Sequence, residues 1–228
     1  MTKSDLLTCL EEAIAERSLL KHPFYRDWQA GKLSRAALQV YAAQYYQQVR
    51  AFPEYLQCLL HRAPAALREI VIENLDEEEN PVAPHPKLWR DFAAAVGVDE
   101  AALAYATPLC EVQTLVETYR QLCSEAPVAH CVAALYAYEA QVPEIATAKL
   151  EGLRAFYGVT ASEGLAYFTV HKEADKVHRA AWRGWLERHA SRSAGETGTP
   201  DLAGIVTAAR RALDGLWGAL DGIYGLPA

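Results

Sequence analysis

The sequence predicts an all-α protein, and three observations predict it. Apolar residues recur at helical spacing along almost the entire chain. No stretch alternates apolar and polar residues between hairpin-type turns. Prolines and glycines fall between the periodic stretches, where they start and stop helices. With 228 residues, 51% of them hydrophobic, the chain can bury one substantial core, and its length asks for no second one. Residues 1–228 are therefore read as a single domain.

A first helix covers residues 4–20, mixing Asp5, Glu11, Glu12, Glu16 and Arg17 among its apolar positions in an amphipathic pattern. Residues 22–30 form a short segment ended by Gly31. Ser34 is a good N-cap for a long helix carrying Tyr41, Tyr45, Tyr46, Phe52 and Leu59, kinked at Pro53. Pro64 suits the first turn of the next helix, which carries Glu73 and the acidic run 76–79 before Pro81 stops it. A helix over 86–96 with Gly97 beyond it, a short turn capped by Asp99, and a helix over 108–124 follow. Pro127 opens another long helix, kinked at Pro143 and closed by Gly158. Residues 162–190 read as one continuous helix, with Thr160 and Glu163 spaced like a capping box. The low-complexity stretch 191–200 (SRSAGETGTP) reads as a flexible linker before a final amphipathic helix over 201–224. No internal repeat is visible, which argues against a solenoid.

Composition narrows the function classes. A formal net charge of −7 argues against a nucleic-acid surface, which needs clustered Lys and Arg in excess of nearby acids. The charged N-terminal helix does not read as a secretory leader, and no stretch is apolar enough to span a bilayer. Five cysteines, odd in number, scattered and without a C-x-x-C pair, fit reduced thiols in the cytoplasm.

The most informative segment is YFTVHKEADKVH. His171, Asp175 and His178 project at about 0°, 40° and −20° around a helix, so three ligand-type side chains share one narrow stripe. Lys172, Glu173 and Lys176 fall on other faces, whereas Phe168 and Trp182 accompany the stripe and turn it inward. Buried metal sites in helical bundles draw further carboxylates and imidazoles from other helices. Glu139, a carboxylate in the apolar segment ALYAYEAQVPEIA, calls for a cation to offset its desolvation. Glu144 competes less well, beyond the proline kink. A third source is ENLDEEENPVAPHPKLW, where His85 stands between Pro84 and Pro86. Spacing alone does not choose among Glu73, Asp76, Glu77, Glu78 and Glu79.

The strings FYRDW, NLDEEENP followed by H and LW, ALYAYEAQVPEIA with the later KLEGL, and YFTVHKEADKVH cover nearly the whole chain in order. Together they resemble the chlamydial proteins that associate with death domains and their bacterial homologues, a family of heme-oxygenase-like diiron oxidases. The resemblance implies a heme-oxygenase-like (TenA/PqqC-like) bundle of about seven helices. It implies metal ligands at Glu78, His85, Glu139, His171, Asp175 and His178, holding two transition-metal ions, Fe/Fe or Fe/Mn, that use O2 as co-substrate. It further implies a self-sacrificing p-aminobenzoate synthase feeding folate synthesis, with no free organic substrate. Tyr25 corresponds to the source of the aromatic ring, Lys149 to the amino donor, and Tyr138 and Tyr167 to redox-active neighbours of the metals. Related bundles commonly pair, so a homodimer is expected.

Simpler readings stand beside these. Most of the 12 tyrosines would be packing aromatics, Tyr41, Tyr45 and Tyr46 among them, and Lys149 would be an exposed helix lysine. A PqqC-like oxidase would act on an external small molecule, and a TenA-like thiaminase would need a catalytic cysteine, for which Cys131 is available. A heme oxygenase would need an axial histidine, for which His22 is the candidate. A non-enzymatic protein-interaction module would need none of these groups. His61, His130 and His189 lack partner spacing and read as structural or exposed.

Overall fold

Local turn chemistry sets most helix boundaries. The computed structural model describes residues 3–191 and 201–226, which form eleven α-helices and one 3-10 turn, with no strand among them. The first helix, α1 (Lys3–Glu16), stops short of the predicted Leu20. Its continuation tightens into a 3-10 turn, Leu19–Lys21, because Pro23 forces His22 into extended backbone. The His22 ring then caps α2 (Pro23–Gln29) by accepting from the Phe24 N–H at 3.0 Å.

Helix α2 ends in a Schellman motif. The Lys32 N–H donates to Asp27 O at 2.9 Å and the Gly31 N–H to Trp28 O at 3.2 Å, with Gly31 in the left-handed region at φ +66°. Ser34 caps α3 (Arg35–Arg62) through the Ala37 N–H, and the helix runs on through Pro53. Then come α4 (Ala65–Glu78), α5 (His85–Ala95), α6 (Glu100–Tyr105) and α7 (Cys110–Ser124). Asn80 Oδ1 shapes the link between α4 and α5 by accepting from the Val82 and Ala83 N–H groups at 2.9 and 3.2 Å.

The predicted single helix from Pro127 to Gly158 is instead two, α8 (Val128–Glu139) and α9 (Val142–Ala155). Pro143 carries no N–H and its ring crowds the carbonyl four residues back, at Glu139, so the chain breaks there and restarts. That break, together with the short α2 and α6, raises the helix count above the expected seven. The continuous α10 (Ser162–Ala190) is present, but its N-cap is Ala161 without a side-chain bond, so the Thr160/Glu163 capping box does not form. The expected linker at 191–200 lies, past Ser191, outside the described residues. Asp201 caps α11 (Leu202–Tyr224) through the Gly204 N–H.

Helix α10 is the spine, packed against α9, α5 and α8, while α11 closes the other side against α8, α7 and α1. Helix α3 spans the bundle against α7, α5 and α4. The largest fully buried side chains include Trp28, Trp89, Trp182, Tyr41, Tyr55 and Tyr119, so the interior is aromatic-rich. No helix among the described residues is long and apolar enough to cross a membrane.

A Cβ on Gly31 would sit 2.5 Å from the Phe156 ring and would strain a left-handed residue. Gly31→Ala is expected to lower unfolding free energy by about 1–2 kcal/mol, read from urea denaturation.

Candidate metal centre

Three helix ends and one helix middle converge at the centre of the bundle. Glu78 is the last residue of α4, His85 the first of α5 and Glu139 the last of α8. His171, Asp175 and His178 come from the middle of α10, and all six side chains are buried. Proline chemistry makes these ends: Pro84 and Pro86 frame the start of α5, and Pro143 ends α8. The C-termini of α4 and α8 therefore bring both a carboxylate and the negative end of a helix dipole into one dry space. Cations or bound protons offset that combination.

The ligand atoms sort into two triads, Glu78/His85/His171 and Glu139/Asp175/His178, with each triad's atoms within 4.8 Å of one another. His171 Nδ1 lies 2.7 Å from Tyr167 O; since a carbonyl only accepts, Nδ1 carries the proton and Nε2 is left free to bind a metal. Glu139 is held from outside the triads, by Trp182 Nε1–H at 2.7 Å and by Asn74 Nδ2–H at 3.2 and 3.3 Å. His85 Nδ1 stands 2.9 Å from Glu78 Oε1 yet out of line for a hydrogen bond. His178 Nδ1 faces Asp175 Oδ1 at 3.5 Å and Glu139 Oε2 at 3.7 Å, and its Nε2 faces Glu77 Oε2 at 3.4 Å.

Buried polar atoms are almost always hydrogen-bonded, yet His85 Nδ1, His178 Nε2 and Asp175 Oδ2 have no hydrogen-bond partner here. Two buried triads of imidazoles and carboxylates, with His85 Nδ1 and Asp175 Oδ2 left unpartnered in them, fit iron or manganese. The electrostatics agree. Burial pushes the Glu139 carboxyl up to about 8 and Asp175 up to about 6, against the pull of His178. Burial opposes charge on His178, but Asp175, Glu139 and Glu77 outweigh it and raise the ring to about 9. Burial likewise opposes charge on His85, and Glu78 overcomes it, whereas burial and the neighbouring His85 lower His171.

The four other predicted residues lie beside this cluster. One small cavity is lined by Glu78, Glu139, Asp175, His171, Tyr138 and Tyr167. A second shares Tyr138, Tyr167 and His171 and adds Tyr25, Tyr45 and Lys149. Tyr138 and Tyr167 therefore stand between the two. The Tyr167 ring lies 4.1 Å from that of His171, and Tyr45 O–H donates to Tyr138 Oη at 3.1 Å.

Lys149, on α9, is not an exposed helix lysine: it is 4% exposed. Its Nζ donates to Tyr41 Oη and sits 4.8–5.6 Å from the ring centroids of Tyr25, Tyr41, Tyr45, Trp89 and Phe168. Burial lowers its pKa to about 7, and no described carboxylate pairs with it. Tyr25, on α2, is equally enclosed, and burial raises its phenol far above the usual range.

Sequence reasoning left Tyr41 and Tyr45 as core, kept Glu77 only as one of five acidic alternatives, and did not single out Trp89 or Asn74. Asn74 stands four residues before Glu78 on α4, a spacing that signals a shared face. The Lys149 cage has no such signal, because its rings come from separate helices. Other candidates lie elsewhere. Both ring nitrogens of His22 are engaged, by the Phe24 N–H and by Asp221 at 3.0 Å. Cys131 packs 3.0 Å from Cys123 in the core, and Glu144 pairs with Arg179 on the surface.

A helical bundle with two buried carboxylate and histidine triads on facing helices has the make-up of a dimetal redox protein. A profile of iron-containing redox enzymes matches residues 39–214. The 4-aminobenzoate synthase of Nitrosomonas europaea is 39% identical over 226 residues, covering 94% of this chain and 89% of that protein. The one from Chlamydia pneumoniae is 38% identical over 212 residues, 92% of this chain and 91% of that protein. A pyrroloquinoline-quinone synthase of Granulibacter bethesdensis is more distant, at 28% identity over 229 residues, 98% of this chain and 87% of that protein. Among solved structures, a TenA homologue from Pseudomonas syringae pv. tomato superposes with a TM-score of 0.81 at 19% identity, covering 98% of this chain and 92% of that one, and so shares the fold. The chain belongs to the iron-containing redox enzyme family and, within it, to the group of 4-aminobenzoate synthases.

Protons held by His178 and Glu139 near neutrality must leave when cations bind, so affinity falls as pH is lowered. Calorimetry of Fe(II) or Mn(II) binding in buffers of different ionisation enthalpy is expected to report proton release. Elemental analysis of loaded protein is expected to give about two ions per chain, and His171→Ala or Glu78→Ala about one fewer.

Proposed function

We propose that the protein is an oxygen-dependent oxidase that makes 4-aminobenzoate for folate synthesis, taking the aromatic ring from its own Tyr25 and the amino nitrogen from Lys149. What carries this reading is the surroundings of Lys149. A lysine amine is buried without a carboxylate partner, 5.5 Å from the Tyr25 ring, in a cavity that shares a wall with the metal centre.

Two redox-active ions, Fe/Fe or Fe/Mn, held by Glu78, His85 and His171 and by Glu139, Asp175 and His178, would supply the electrons that reduce O2. The chain's own residues do the rest. Asn74 and Trp182 fix the orientation of Glu139, and the Tyr167 carbonyl fixes that of the His171 ring. Aromatic contacts lead from His171 to Tyr167 at 4.1 Å, from Tyr167 to Trp89 at 4.9 Å and from Trp89 to Tyr45 at 5.4 Å, a path along which an electron can leave the aromatic pocket. The hydrogen-bonded pair Tyr45 and Tyr138 offers a parallel route for a proton. Around Lys149, five aromatic rings exclude water, and the lowered pKa leaves much of the amine uncharged near neutrality, with its lone pair available for bond formation.

Expression in a strain lacking the chorismate route to 4-aminobenzoate is expected to restore growth without the vitamin. Tyr25→Phe and Lys149→Arg are each expected to lower product by about a hundredfold or more, and product is not expected to exceed the amount of protein present. Full rescue by both variants would assign the chemistry to an external substrate instead, as in a PqqC-like oxidase.

A further inference from the structure

Tyr25 and Lys149 are 2% and 4% exposed, so anything made or consumed between them enters or leaves only if some part of the wall moves. One part of that wall is shared with a second cavity. The inner cavity ends at Leu19, Val142, Ile145 and Ala146. Immediately outside lies a surface vestibule lined by Ile14, Ser18, Leu20, Tyr136, Gln141, Ile145 and Arg179, with Glu11 and Glu144 at its rim. Ile145 belongs to both, and Leu19, which lines the inner cavity, stands in the chain between Ser18 and Leu20, which line the vestibule.

The separating segment is a single short turn. Leu19 lies in an isolated 3-10 turn between α1 and α2, a class of short structure with poorer hydrogen-bond geometry than an α-helix. Its backbone N–H has one long-range partner, Gln141 Oε1 at 2.9 Å. Gln141 in turn sits at the break between α8 and α9 and donates through Nε2 to Ala137 O at 3.2 Å. The vestibule lining is amphipathic, with Arg179 as its one guanidinium and two acids, Glu144 beside Arg179 and Glu11 paired with Arg183. Ile14, Leu20 and Ile145 provide an apolar wall, and Arg179 provides a guanidinium with one nitrogen on Ala140 O at 3.2 Å and Glu144 at 3.4 Å, leaving further N–H groups for a carboxylate.

We infer that this vestibule is the port of the buried cavity and a binding site for a small aromatic carboxylate, gated by the Leu19 turn through its hydrogen bond to Gln141 and selected by Arg179. The assignment of an aromatic acid rests on the reaction proposed above. The gate does not, because an external substrate needs the same passage.

The test reads Lys149 itself, with no turnover and no bound metal required. Wild-type protein and variants are treated with formaldehyde and cyanoborohydride at fixed pH, and methylation of Lys149 is followed by peptide mass spectrometry. Gln141→Ala removes the acceptor from the gate and is expected to speed labelling by about tenfold, the shift that loss of one buried hydrogen bond produces. Gln141→Glu keeps an acceptor and is expected to stay near wild type; Leu19→Ala, which thins the plug, gives the same acceleration if Gln141→Ala fails to fold. Benzoate, the probe for the carboxylate site, is expected to slow labelling in wild type but not in Arg179→Gln. Unchanged labelling in folded Gln141→Ala and Leu19→Ala would overturn the gate. Equal benzoate protection in Arg179→Gln, or none in wild type, would overturn the carboxylate site. Failure of the Tyr25 or Lys149 chemistry would show in product formation and leave these rates untouched.

Discussion

Three carboxylates and three imidazoles are forced into one dry cleft, and the rest of the structure is arranged around that electrostatic constraint. Two of the carboxylates end helices whose dipoles point their negative ends the same way, which concentrates anionic character where water cannot screen it. Without cations the cluster holds protons that ordinary carboxyls and imidazoles would release at neutral pH. The bundle contributes rigidity: one long helix presents three of the six groups, hydrogen bonds donated by Trp182 and Asn74 aim Glu139, and one accepted by the Tyr167 carbonyl aims His171.

A second buried charge is handled by different chemistry in the adjoining cavity. Where the carboxylates are grouped so that metal cations can neutralise them, Lys149 is surrounded by aromatic faces and has no described anionic partner. Ring quadrupoles stabilise a cation by roughly 0.5–2 kcal/mol each, less than the cost of removing an ammonium from water, so the amine sheds its proton more readily than usual. One cleft thus gathers cations and the other holds a weakly basic amine. Tyr138, Tyr167 and His171 form the wall they share.

Much of the fold was legible because helices announce themselves locally. Ser34 and Asp99 cap the helices expected of them, and Gly31, Gly97 and Gly158 adopt the left-handed backbone expected after helix ends. The errors were also local in origin. Pro143 looked like a kink and proved a break, and Thr160 and Glu163 had capping-box spacing without the geometry, because capping fell to Ala161. Of the site, the His171/Asp175/His178 stripe could be read from helical geometry, since a 3.6-residue repeat fixes which side chains share a face. Glu78 could not be told from Glu77 or Glu79 by spacing. In the folded chain Glu78 is buried against His85, while Glu77 is half-exposed and faces His178 from outside the triads.

By itself the sequence determined the all-α class, the order of the helices, the inward stripe on the longest one and, through resemblance, the family. Those properties depend on periodicity, capping and motif order, all of them short-range in the chain. Only the tertiary structure decided that Lys149 is caged, that Tyr41, Tyr45 and Trp89 from two other helices build the cage, and that Asn74 and Trp182 clamp Glu139. It also decided that the Leu19 turn closes the cavity on the side of Gln141. Each of these joins residues between 43 and 122 positions apart, and no periodic signal extends that far. Packing alone sets which faces of separate helices meet.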